Sequence, residues 1–146
     1  MSYESIEAAL KAQLEALPRF KGRVSIDGPK QLNSGSMPSI ELRYGGFENE
    51  RDAFQGEFHT SWLVSIILYI RYTNATDVRK GLRAGREDIL QRIGAYPRLG
   101  GADGVFDAMI LRGRPEPSEV MVGSVKARSE EIICRIVEEV SIQPAE

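Results

Sequence analysis

His59 and Cys134 are the single histidine and the single cysteine of this chain, and they stand 75 positions apart. A catalytic metal centre asks for three or four His, Cys, Asp or Glu ligands around one ion, and the sequence offers no such spacing. His59 falls on the mixed side of an alternating segment, the place of an ordinary surface or half-buried side chain. Cys134 lies in the most apolar part of a late segment, where a thiol is core material rather than a nucleophile. A Cys–His pair would need the two segments side by side, with both side chains on one face. The acidic pairs Glu130-Glu131 and Glu138-Glu139 point to opposite faces of a strand, since neighbouring side chains alternate. They do not form a carboxylate dyad on that pattern. The glycine-rich run RLGGADGVF, residues 98–106, leaves a helix and enters a strand. Phosphate cradles run the other way, from a strand into a helix N-terminus. No catalytic residue, metal site or cofactor site is therefore expected.

Charge is distributed unevenly. Between residues 77 and 98, Arg79, Lys80, Arg83, Arg86, Arg92 and Arg98 stand against Asp77, Glu87 and Asp88. Between residues 116 and 146, seven glutamates face only Lys126, Arg128 and Arg135. A solvated helix face accounts for the first cluster. The sharper reading is a basic helix on one copy meeting an acidic edge on the next, a complementarity that fixes register more than affinity. Nucleic-acid binding by the basic helix is weakly supported, because aromatics do not interleave with its cations and the net charge is −2.

These groups are positioned by an ordinary globular chain. Its 146 residues suit one domain, with 42% hydrophobic and 27% charged residues. The first residues carry acids early and lead into no long apolar run, so a secretory leader is not expected. The most apolar stretch, SWLVSIILYIRY at residues 61–72, is about half the ~20 residues of a membrane-spanning helix. It alternates instead. Phe58, Thr60, Trp62, Val64, Ile66, Leu68, Ile70 and Tyr72 make one almost wholly apolar face, which predicts a strand with Trp62 to Ile70 in the core. Fifteen residues exceed the usual strand by far. Either a bulge divides this one, or one end projects toward another chain.

Around it, residues 3–17 read as a helix capped by Ser2 and ended by Pro18. Residues 23–26 and 39–44 read as strands. Residues 28–38 and 45–57 read as mobile connections. A second helix, capped by Asn74 or Thr76, runs to about Ala95, with Gly81 and Gly85 allowing close packing on a sheet. Strands are expected at 106–111, within 119–127 and at 130–143, with Glu138 interrupting the apolar face of the last. The order predicts an α+β fold: a mainly antiparallel sheet with two helices on one face.

Taken together, these features resemble the tail terminator, or tail completion, proteins of tailed bacteriophages, especially the Mu-like contractile-tail family. The likeness rests on the helix SIEAALKAQLEAL and the turn LRYGG, followed by the polar loop ENERDAFQGE. It continues through the Trp-bearing strand SWLVSIILYIRY and the passage AYPRLGG into C-terminal strands. It covers most of the chain as a pattern of elements. The resemblance implies a non-enzymatic virion protein without cofactors. Such a protein forms a homo-hexameric ring on the last ring of tail tube protein, meets the sheath where there is one, and presents a surface to the neck. Genomic DNA passes only through the lumen, and no membrane is involved. The candidate subunit-interface residues are Phe47, Arg51, Phe54, Phe58, Tyr72, Arg79, Arg83, Arg86, Glu130 and Glu138. Two other readings stand beside it: another head–tail connector, such as a neck or head-completion protein, and a small ligand-binding or catalytic α+β domain, which would require a pocket with convergent polar groups.

Overall fold

The computed structural model describes residues 3–26, 37–51, 57–101, 105–116, 119–122 and 124–141. Its elements are α1 (Tyr3–Glu15), a 3-10 turn at Pro18–Phe20, β1 (Val24–Ile26), β2 (Ser39–Arg51) and β3 (Glu57–Arg71). Then come α2 (Ala75–Ala95), β4 (Val105–Pro115), β5 (Val120–Val122) and β6 (Val125–Ser141). The sheet runs β1-β2-β3-β6-β4, with β5 also on β6. Only β1 and β2 pair in parallel. The fold is the α+β arrangement that the order of elements implies.

The even positions of β3 carry the core. Val64, Ile66 and Leu68 are fully buried, and they pack with Ile6, Leu10 and Leu14 of α1, Ile89 and Ile93 of α2, and Ile132, Cys134 and Ile136 of β6. Both helices thus cover one face. Asn74 caps α2: its side-chain oxygen accepts from the Asp77 backbone N–H at 2.9 Å, which satisfies a donor the first turn leaves open. Gly85 faces Leu68 so closely that a Cβ there would come within 2.8 Å of Leu68 Cδ2. Glycine is what lets the helix lie this near the sheet.

The long strand is neither divided nor projecting alone. β3 pairs through all fifteen residues with β6, and nearly as far with β2. The bulge lies in its neighbour: Tyr44 faces Val64 and Phe47 faces Trp62, so Gly45 and Gly46 together oppose Leu63. Gly46 has φ +103°, a conformation glycine adopts without strain, and a Cβ on Gly45 would meet the Leu63 carbonyl oxygen at 3.0 Å.

Two expectations change, and a third lies mostly outside the described residues. Residues 45–51 are strand rather than loop, because backbone pairing with β3 carries them past the two glycines; residues 52–56 lie outside the described part. Most of 28–38 also lies outside it, with Met37 buried and Pro38 following through a cis bond. The segment 119–127 is two strands, since Val122 pairs with Val125 and the chain reverses between them.

Among the described residues, the other face of the sheet is covered at one end only. Ile67, Tyr69, Met37, Val122 and Ala127 form a smaller buried cluster there. Beside it Glu41, 1% exposed, accepts from the Tyr69 hydroxyl at 2.8 Å and from Arg43 Nε at 2.9 Å.

Candidate functional site

Helix α2 leaves a groove beside the end of β3. Its first turns, the β4–β5 junction and the start of β6 enclose about 780 Å³. The apolar floor comes from Val78, Leu82 and Pro115, because Val78 and Leu82 fall on the sheet-facing stripe of α2 at helical spacing. Cations rim it: Arg79, Arg83 and Arg86 one turn apart on α2, and Arg128 from β6. Tyr72 closes the end, its N–H donating to the Lys126 carbonyl at 2.9 Å and the Lys126 ammonium lying 4.9 Å from its ring.

Two of the rim cations are paired within the chain. Arg83 bonds Glu87 at 3.1 Å on the exposed helix surface. Arg86 Nη1 bonds both oxygens of Glu130, at 3.1 and 3.3 Å. Glu130 is only 3% exposed, so its charge requires such a partner. Gly113 of β4 leaves room for it, since a Cβ there would sit 3.2 Å from Glu130 Oε1. Arg79 and Arg128 have no ion pair among the described residues, against a single unpaired carboxylate on the lining, Glu119.

Five of the ten sequence-derived interface candidates, Tyr72, Arg79, Arg83, Arg86 and Glu130, therefore line one groove. Glu130 meets the basic helix inside its own chain, through Arg86. Glu138 is likewise spent internally. It is buried and accepts from the Trp62 indole N–H at 2.9 Å, which is why an acid can interrupt an apolar face.

Phe47, Arg51 and Phe58 lie together at the far end of the sheet, where Arg51 is opposite Phe58 in the β2–β3 register. Phe54 falls outside the described residues. Phe47 is 54% exposed and its ring centroid is 5.6 Å from that of Trp62. Trp62 in turn contacts Tyr3 of α1 and Tyr44, so these aromatics mark where the helix layer ends on the strands. The bulge was the missed signal. Were both glycines paired as ordinary strand residues, Phe47 would fall opposite Ser61, on the other face from Trp62.

The sole thiol is sealed. Burial pushes Cys134 up to about 12, with Asp107 acting in the same direction. β3 and β6 are indeed adjacent, but Cys134 pairs with Val64 and His59 with Glu139, which puts His59 five residues away and in the opposite alternation. No cluster of three metal-ligating side chains occurs among the described residues. No helix among them is long and apolar enough to cross a membrane.

No protein-family model matches the chain, and no curated protein matches it. Among solved structures, one similar chain belongs to a structure described as the virion of a native gene transfer agent (GTA) particle. It is 12% identical, and the match spans 94% of this chain and 99% of that one at a TM-score of 0.48.

Proposed function

We propose that this protein is a structural component of a phage-like virion, a tail terminator. In this reading copies form a ring that caps the tail tube, and the sheath in a contractile tail. The ring ends tube polymerisation and offers the neck proteins their attachment surface at the head-proximal end of the tail. The role is non-enzymatic and needs no cofactor.

One observation carries the reading: the sheet presents unlike surfaces along β3, the arginine-rimmed groove at Tyr72 and, toward the other end, the exposed Phe47 and Glu48 beside Trp62. A contact between unlike patches of identical chains is heterologous, and repeated with the right rotation it closes a ring. The likeness of element order noted in the sequence supports the assignment to the tail end.

Electron microscopy of tails assembled without this protein tests it. Tubes that overrun their normal length are the expected result. Normal tails beside unattached heads would instead identify a neck or head-completion protein, which a ring-former of the same shape serves equally well. Normal, head-bearing particles would remove both readings.

A further inference from the structure

We infer that the arginine groove receives a peptide segment of a protein partner that presents one carboxylate beside an apolar side chain. This rests on the reading above that the protein works through contacts with other proteins, and it names the chemistry of one of them.

The registers of helix and sheet decide which cations remain for an outside anion. α2 lies along β3 so that a Cβ on Gly85 would meet Leu68, and one on Gly81 would meet Ile70. On β6, Glu130 stands opposite Leu68 and Arg128 opposite Ile70, so both share the helix-facing side of the strand. At the Leu68 level a helix cation meets a strand acid, in the pair Arg86–Glu130. One helical turn nearer the N-terminus the strand residue is itself an arginine, and the helix contributes Arg79 and Arg83 to the same groove. Arg83 turns to Glu87, which leaves Arg79 and Arg128 without an ion pair among the described residues. Arg128 is half-buried. A guanidinium partly withdrawn from water and bordered by like charge favours a counter-charge of the kind Arg86 finds in Glu130.

The charge of the occupant follows from the balance along the lining. Four arginines stand there with three carboxylates, Glu87, Glu119 and Glu130. Even with the exposed Glu119 set against one of the free arginines, one positive charge is left over. That suits a single carboxylate and not a run of phosphates. Glu116 and Glu131 do not enter the balance. They line a cavity on the opposite side of the sheet, where Glu131 stands opposite Ile67.

The body of the occupant follows from the floor. Val78, Leu82, Pro115 and the Tyr72 ring supply apolar surface beneath the cations. The enclosed volume of about 780 Å³ far exceeds a lone carboxylate and falls in the ~300–1,000 Å³ range of ligand sites. An apolar side chain next to the carboxylate fills that floor. The rim offers donors on Arg79 and Arg128 and acceptors on Glu87 and Glu119, so a peptide backbone finds partners for both its carbonyl and its N–H groups. A free anion uses only the donors.

Titration of the full-length protein, followed by NMR shifts or calorimetry, tests this with the blocked peptide acetyl-GLFEG-amide. The comparators are acetyl-GLFQG-amide, acetyl-GGGEG-amide, 3-phenylpropionate, inorganic phosphate and a short DNA duplex. The first peptide is expected to bind at least about tenfold more tightly than the glutamine and glycine peptides, each of which lacks half of the recognised pair. Arg79→Ala and Arg128→Ala are each expected to weaken it about tenfold. Lys80→Ala, which removes an exposed α2 cation outside the groove lining, is expected to leave it unchanged. Circular dichroism confirms that each variant is folded. Binding indifferent to the glutamine exchange, or to both arginine substitutions, overturns the proposal. Tighter binding of phenylpropionate or phosphate than of the peptide also overturns it and makes the groove a site for a free anion. Tighter binding of the duplex overturns it in favour of nucleic acid. No binding of the first peptide up to about 10 mM removes the peptide site. The ring reading then still stands or falls on tail length, which is measured separately.

Discussion

The two faces of β3 are built differently although they alternate along one strand. The even face is sealed by two helices, and Val64, Ile66 and Leu68 are wholly buried in it. Among the described residues, the odd face has apolar cover only over Ile67 and Tyr69, from Met37 and the short hairpin of β5 and β6. Its depth is polar as well as apolar, since Glu41 lies buried there between Tyr69 and Arg43. The even face therefore holds the fold together, and the odd face depends on a small polar network whose members need one another.

The largest effect expected is Leu68→Ala. It removes a fully buried side chain wedged against Gly85, and should cost about 3–5 kcal/mol in denaturant unfolding. Its neighbour on the other face, Ile67→Ala, should cost about 2–3 kcal/mol because the shallower cluster can relax around the cavity. Equal losses at both positions would abolish the contrast between faces.

Tyr69→Phe comes next, at about 1–2 kcal/mol, because it takes a donor from a buried carboxylate. It also carries a pH signature. Burial, followed by the bond to Glu41, raises the Tyr69 phenol above its ordinary value near 10. The folded state then retains a proton that the unfolded chain releases, so stability is fully present below pH ~10 and falls as pH rises beyond it. Thermal unfolding followed from pH 8 to 11 should show this decline in the wild type and a shallower one in Tyr69→Phe. The smallest effect is Gly85→Ala, about 1 kcal/mol unfavourable. The clash with Leu68 outweighs the gain of ~1 kcal/mol in helix propensity that alanine brings. A stabilised variant would show that α2 has room to lift from the sheet.

The even face was legible in the sequence because five apolar residues at alternate positions leave few other folds. α2 was legible because Asn74 can cap it and Pro97 follows just after its last turn. The continuation of β2 through residues 45–51 was not. Two glycines and a run of charges read as loop, yet the strand is held there by backbone bonds to β3, which side-chain type does not report. The reversal between Val122 and Val125 left a fainter trace in the intervening Gly-Ser, a pair found in tight hairpins. The groove was half visible. The arginines showed as a stripe on α2, but their floor and their bond to Glu130 depend on β4 and β6 arriving beside the helix, which is a matter of topology.

The single extra residue at Gly45-Gly46 acts as a parity bit for everything beyond it. A strand assigns its side chains to alternate faces by counting, and the bulge shifts that count by one between Tyr44 and Phe47. Deleting one of the two glycines would leave one glycine opposite Leu63 and Phe47 still opposite Trp62. Keeping both but pairing them as ordinary strand residues would turn the end of β2 over, moving Phe47 to the register position opposite Ser61, on the other face. The bulge thus sets which chemistry that end of the molecule shows to its surroundings, with no change in composition.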